Sequence, residues 1–265
     1  NDSYWGVRRE AAEALGQMGS PEAEKQLLAA LANPQPWVRE FVVRDLGHFK
    51  SDRTLGTRLE EIAISDKAWH VRAAALTSLA DIQGPDAYGV LAKAVQTDSP
   101  DDLLRNAALR GFGPLGDDRT VPMLLDWSSL GKPFNSRSAA IFSLARLDRN
   151  NPEITKRLIS YLAEPYTSLI APVIGALVER GDPSAIAPLE AYLQSGNLNS
   201  PMHPFAEAQL RRLKADTARK EAGKASAGAQ SNEETMTTLR DIQKQMEEIN
   251  EQLKKLQQPQ GPGPQ

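Results

Sequence analysis

The stretch Val7-Arg8-Arg9-Glu10-Ala11-Ala12-Glu13-Ala14-Leu15-Gly16 decides how the rest of the chain is read. Its apolar and alanine positions recur at helical spacing, which marks an amphipathic helix with one narrow packing face. The pattern then returns. Val38-Arg39 leads to Leu46, Val71-Arg72 to Leu79, Leu104-Arg105 to Phe112, Ser136-Arg137 to Leu144, Leu169 to Leu177, and Phe205 to Leu213. Successive anchors lie 31, 33, 33, 32, 33 and 36 residues apart. A period this regular marks stacked repeats rather than a single core.

Each unit holds two helical patterns separated by a turn. Gly19-Ser20-Pro21, Lys50-Ser51-Asp52, Gly84-Pro85-Asp86, Gly116-Asp117-Asp118 and Gly181-Asp182-Pro183 supply the punctuation. Glycine ends a helix in left-handed geometry, Ser or Asp caps the next, and Pro suits a first turn. Leucine-type stripes follow: Leu27-Leu28-Leu31, Leu55-Leu59-Ile62, Val121-Leu124-Leu125, Ile154-Leu158-Leu162 and Ile186-Leu189-Leu193. No stretch alternates with period two over a useful length, so strands are not expected. The fold class expected is an all-α solenoid of about seven helix pairs over residues 1–214. Hydrophobic residues at 40% and aromatics at 6% suit it, because each pair buries only a stripe against its neighbours.

After Leu213 the composition changes. Residues 215–232, rich in Ala, Lys, Gly and Ser, read as a flexible linker. A heptad follows over 233–258, with Leu239, Met246 and Leu253 at a and Ile242, Ile249 and Leu256 at d. This coiled-coil helix is marginal alone and is expected to find a partner, either a second copy or a surface of the same protein. Residues 259–265, Pro- and Gly-rich, read as a disordered tail.

Composition narrows the function classes. The formal net charge is −3, from 31 Lys+Arg against 34 Asp+Glu, so the basic face of a general nucleic-acid binder is not expected. The chain has no cysteine, which excludes disulfides, Cys-ligated zinc and a thiol nucleophile. It leaves the compartment open between cytoplasm and periplasm or exterior. No apolar run approaches the ~20 residues of a membrane helix. His48, His70 and His203 sit outside any His-Glu-x2-His arrangement, so no metal or other cofactor and no catalytic residue is expected in this chain. Gly111-Phe112-Gly113-Pro114-Leu115-Gly116 lacks the preceding strand and the Lys of a phosphate loop, and Phe112 occupies the repeat's Leu position.

Two residue series stand out. Arg8, Arg39, Arg72, Arg105 and Arg137 recur at one position of five units. Stacked helices would place them roughly 10 Å apart, a like-charge ladder that needs counter-charges. The turn acids Asp52, Asp86, Asp117, Asp148 and Asp182 are the expected partners. Trp5, Trp37 and Trp69 form the second series. They either fill space between neighbouring first helices or present an aromatic row that docks a partner.

The phrase Val-Arg-x2-Ala-x3-Leu-Gly, from Val7 to Gly16 and more loosely from Val38 to Gly47, resembles the short HEAT-like repeat, a family that includes modules of phycobilin lyases. The opening Asp2-Ser3-Tyr4-Trp5-Gly6-Val7, continuing to Gly16, further resembles the C-terminal HEAT-like region of bacterial zinc aminopeptidases of the aminopeptidase N type. That resemblance implies a non-catalytic domain that packs on an upstream catalytic domain and shapes the access of peptide substrates. Zinc, its His-Glu-x2-His-x18-Glu ligands and the Gly-x-Met-Glu-Asn substrate motif would belong to that upstream domain; none of these motifs occurs here. The alternatives are a stand-alone scaffold that binds a protein partner, and a bilin lyase-like HEAT protein.

Overall fold

The computed structural model describes residues 4–50, 52, 54–164, 167–195 and 202–257, the side chains of 167, 224–235 and 247–257 excepted. Thirteen α-helices, joined by short loops and single 3-10 turns, account for these residues. Six helix pairs follow one another: α1 (Trp5–Met18) with α2 (Pro21–Ala30), α3 (Pro36–Leu46) with α4 (Thr54–Ser65), α5 (Trp69–Gln83) with α6 (Tyr88–Val95), α7 (Leu103–Leu115) with α8 (Val121–Trp127), α9 (Phe134–Leu144) with α10 (Pro152–Ser160), and α11 (Ile170–Arg180) with α12 (Ile186–Ser195). The last helix, α13, spans Met202–Gln257. Among the described residues no helix is long and apolar enough to cross a membrane.

The turns are made as the sequence dictates. Gly19, Gly116 and Gly181 close their helices at φ of 61°, 63° and 64°, where a Cβ would be strained. Side-chain oxygens of Ser20, Asp117, Asn151 and Asp182 accept the first free backbone N–H groups of the next helical turn. The anchor residues Val38, Val71, Leu104, Ser136 and Leu169 are buried, as are Leu46, Leu79, Phe112, Leu144 and Leu177 eight positions on.

The chain divides into two compact units, Asn1–Leu213 and Lys214–Gln265. In the first, each first helix packs on the first helix of the next unit, while the second helices pack mainly on first helices. The seam between first helices is built from small residues. A Cβ on Gly16 would meet Asp45 at 3.0 Å, one on Gly47 would meet the Ser78 hydroxyl at 2.8 Å, and one on Gly113 would meet Ser143 at 3.2 Å. The residues facing the glycines occupy one repeat position, six after the ladder arginine.

The seam also repairs the helix ends. Pro114 lies inside α7 and has no N–H for the Arg110 carbonyl. Ser143 of α9 fills the gap: its hydroxyl donates to the Leu109 carbonyl at 2.6 Å and to that of Arg110 at 3.1 Å. It also accepts the Gly113 N–H at 3.1 Å. Gly47 tightens the end of α3 by donating to the Arg44 carbonyl, and Ser78 donates to the neighbouring Val43 carbonyl at 2.9 Å. A hydroxyl from the next unit thus satisfies an acceptor that the irregular turn leaves behind. Asp45 holds the same position one unit earlier as a carboxylate 7% exposed. Burial raises its pKa, and the nearby His48 only partly offsets this.

Two sequence expectations need correction. The linker of residues 215–232 is helical throughout, as part of α13. Ala, Lys, Arg, Glu and Gln are strong helix formers, no proline interrupts them, and Gly223 and Gly228 together cost only about 2 kcal/mol of propensity. For the same reason the seventh anchor, Phe205 to Leu213, lies on α13 without a returning second helix. No Gly-Asp or Gly-Pro turn occurs between Leu213 and the heptad. Unit 1 therefore contains six pairs and the start of α13 rather than seven pairs. The tail at 259–265 lies outside the described residues.

Two substitutions test the seam. Ser143→Ala strands two carbonyls and should cost about 1–3 kcal/mol, read by denaturant or thermal unfolding. Asp45→Ser, which gives this joint the residue found at Ser78 and Ser143, should raise Tm at pH 7 by about 2–4 °C. A carboxyl with raised folded pKa contributes fully below its unfolded pKa of ~3.9 and loses that contribution as pH rises. The advantage of Asp45→Ser should therefore shrink as the pH is lowered towards 4.

Candidate protein-binding surface

Each ladder arginine sits in the first turns of a first helix, and helical side chains lean towards the N-terminus. From α3 onward they therefore reach the end of the preceding second helix, where carbonyls lack intrahelical partners. Arg39 donates to the Asn33 and Pro34 carbonyls, Arg72 to that of Ala63, Arg105 to that of Val95 and Arg137 to that of Ser128. Cations at helix C-termini also meet a favourable dipole.

For Arg39, Arg105 and Arg137 the counter-charges are not the turn acids. Arg39 grips Asp66 with two bonds, at 2.9 and 2.8 Å; Arg137 pairs with Glu164 at 2.6 Å, and Arg105 with Asp98 and Asp102. These acids lie at the entrances of first helices. The turn acids lie at the exits, about 15 Å away along a ten-residue helix. There they serve local caps: Asp52 accepts from Thr54, Asp148 from Asn150 and Asp182 from Ser184. Burial pushes the Asp66 carboxyl up, but the Arg39 guanidinium and the Ala68 N–H outweigh it and hold it below the usual carboxylate range.

Aromatic rings complete the arginine environments. Arg8 lies over Trp37 at 4.8 Å, Arg72 over Trp69 at 4.6 Å, Arg105 over Trp127 at 4.9 Å and Arg137 over Tyr161 at 5.5 Å. The three expected tryptophans do not form one row. Trp5 meets Trp37 edge-on at 6.4 Å, and Tyr4 and Phe41 extend the cluster at 6.0 and 6.5 Å. Trp69 is half-buried against the core. Tyr4 and Trp5 remain 61% and 47% exposed. Arg9 lies over Trp5 and Arg44 over Phe41, each also paired with a neighbouring glutamate, Glu10 or Glu40.

A related arrangement appears farther along the first helices. Phe142, 38% exposed, lies between Arg110 at 5.2 Å and Arg146 at 3.7 Å, at the edge of a groove of about 320 Å³ that Gly175 leaves open. Arg44, Arg110 and Phe142 share one repeat offset, five residues after the ladder arginine, so they face the same side of the stacked helices. Sequence inspection missed this, since arginines outside the ladder carry no periodic signal. It also missed Arg180, which is 2% exposed and donates to the Leu144, Leu147, Asp148 and Asn151 carbonyls and the Thr155 hydroxyl. Its work is structural: it caps the end of α9, and burial pushes its pKa down.

The remaining candidates are dispersed. His48 and His70 are exposed on separate units, and Gly111-Phe112-Gly113 lies inside α7 with Phe112 fully buried. Among the described residues no group of three His, Cys, Asp or Glu could hold a metal ion. Leu239, Ile242 and Met246 of the heptad are 51%, 47% and 59% exposed; the side chains of Ile249, Leu253 and Leu256 lie outside the described residues.

Asp66→Asn should lower stability by about 1.5–3 kcal/mol, the range for hydrogen bonds to charged groups. Because the folded pKa of Asp66 is depressed, its contribution is present above the unfolded pKa of ~3.9 and is lost as pH falls through the folded value. The gap between wild type and Asp66→Asn in thermal unfolding should close below about pH 4.

The chain was compared with known proteins. No curated protein sequence matches it. Among solved structures, the complex of CpcE and CpcF of phycocyanin lyase from a Nostoc species aligns at a TM-score of 0.51 with 21% identity, over 80% of this chain and 91% of that one. YibA of Escherichia coli aligns at 0.50 with 18% identity, over 80% and 89%. Both likenesses are of fold. The sequence model of HEAT repeats matches residues 1–57 and 56–133, half of the chain. With the stacked helix pairs and the capping arginines on view, the chain belongs to the HEAT-repeat family.

Proposed function

We propose that this protein is an interaction scaffold whose first-helix face binds another protein through exposed aromatic rings flanked by arginines. The carrying observation is the Tyr4–Trp5–Trp37–Phe41 cluster with Arg8, Arg9 and Arg44 stacked on it. Stacking uses the flat face of a guanidinium and leaves its N–H edge for an in-plane carboxylate. Arg9 and Arg44 lend that edge to the exposed Glu10 and the half-buried Glu40, near-surface pairs worth about 0–1 kcal/mol that a partner can replace cheaply. The fitting partner therefore offers an apolar pocket for Trp5 rimmed by Asp or Glu. The Phe142 groove extends the same chemistry along the array.

The opening phrase Asp2 to Gly16 favours a second reading, a HEAT-like domain belonging to a zinc aminopeptidase and packed on its catalytic domain. The neighbouring gene sequence decides it: an in-frame His-Glu-x2-His upstream supports this reading, and its absence removes it. The fold likeness to the phycocyanin lyase complex brings a third reading, a bilin lyase-like protein. A bilin absorbance spectrum unchanged by the purified chain would remove that one.

The scaffold reading is tested with a photo-crosslinking amino acid at the half-buried Phe41 and, as a control of like exposure, at Glu60 of α4. In cells of the source organism, a partner protein should be captured from position 41 and not from 60. With that partner purified, Trp5→Ala should weaken binding about 30-fold, as for an interface anchor worth ~2 kcal/mol, while thermal unfolding shows the solenoid intact. Equal capture at both positions, or unchanged affinity, overturns the reading.

A further inference from the structure

The second unit carries a surface with a definite address. Leu239, Ile242 and Met246 stand on one side of α13, each about half exposed. The sequence continues the same seam through Ile249, Leu253 and Leu256. All six a and d positions are therefore apolar. Water is a poor neighbour for such a stripe, and a helix of three heptads holds its shape through contact rather than through propensity.

Which partner fits is written in the flanks. The e and g positions, Gln243, Gln245, Asn250, Gln252 and Gln257, are neutral amides. Charges at these positions select a different chain and repel an identical one when their signs match. Neutral flanks do neither. The charged residues Arg240, Asp241, Lys244, Glu247, Glu248, Glu251, Lys254 and Lys255 occupy b, c and f, away from the seam. A second copy of this chain meets no electrostatic penalty.

The seam also bears on the number of copies. β-Branched residues at a with Leu at d suit two strands, whereas Leu at a with Ile at d shifts coiled coils to three or four. Here a is Leu239, Met246 and Leu253, and d is Ile242, Ile249 and Leu256. We propose that the C-terminal part of α13 assembles three or four copies of this protein into one bundle. The assembly would carry several solenoids, so a partner with repeated sites would be held by avidity. It does not depend on which partner the solenoid binds.

Sedimentation equilibrium of the full chain tests this. The expected mass is three or four times 28.9 kDa; a monomer or a dimer overturns the proposal. Ile242→Asp combined with Ile249→Asp should give a monomer while circular dichroism shows the solenoid melting as in wild type. An unchanged oligomer would place the contact elsewhere and also overturn it. The decisive variant combines Leu239→Val, Met246→Val and Leu253→Val with Ile242→Leu and Ile249→Leu, and keeps Leu256. It keeps the stripe apolar and should fall to twice the chain mass; if it keeps the wild-type mass, the seam does not set the assembly.

Discussion

Close approach of the first helices is the constraint on which the solenoid depends. Gly16, Gly47 and Gly113 leave no room for a Cβ beside Asp45, Ser78 and Ser143 of the following unit. Each joint is a backbone-to-side-chain contact at van der Waals distance, so a single added methyl must displace a neighbour. The same contact brings a hydroxyl within reach of carbonyls that Pro114 and Gly47 leave unpaired. Packing and hydrogen-bond satisfaction are here one interaction. Helix interruptions that would be costly in an isolated helix are tolerated because the neighbour repairs them.

The arginines act at the other end of the same helices. A guanidinium has enough donors to hold a carbonyl of the preceding second helix and still pair with a carboxylate or stack on a ring. Arg39 and Arg137 do the first and bridge onward to Asp66 and Glu164 of the next unit. Arg180 is the limiting case, with five acceptors that are all neutral. Spreading its charge over several carbonyl dipoles avoids burying a second ion. The solenoid is held together by capping as much as by its leucines.

A surface able to bind grows out of this same chemistry. Arginines whose donors are absorbed by carbonyls are structural, and their rings are half-buried or, for Tyr161, buried. Where a first helix presents rings beyond the seam, as at Trp5, Phe41 and Phe142, the stacked arginines keep their N–H edges towards solvent or towards weakly held glutamates. One residue pair, arginine on aromatic, therefore stabilises the array inside and, in the scaffold reading proposed above, would meet a partner outside.

Sequence alone determined the all-α repeat architecture, because the recurrence of Val-Arg to Leu at 31 to 36 residues is a direct print of one helix face per unit. It also determined the turns, since Gly19, Gly116 and Gly181 and the caps that follow them act locally. What it could not determine was which acid each arginine meets. Both the turn acids and Asp66 or Glu164 are distant in sequence, and only the direction of helical side chains and the stacking of units separates them. Nor did it show the helix through 215–232, where a composition typical of linkers is also one of strong helix formers. The grouping of Trp5 with Trp37 and Phe41 is a contact between separate units, and both it and the exclusion of Trp69 exist only once those units are packed.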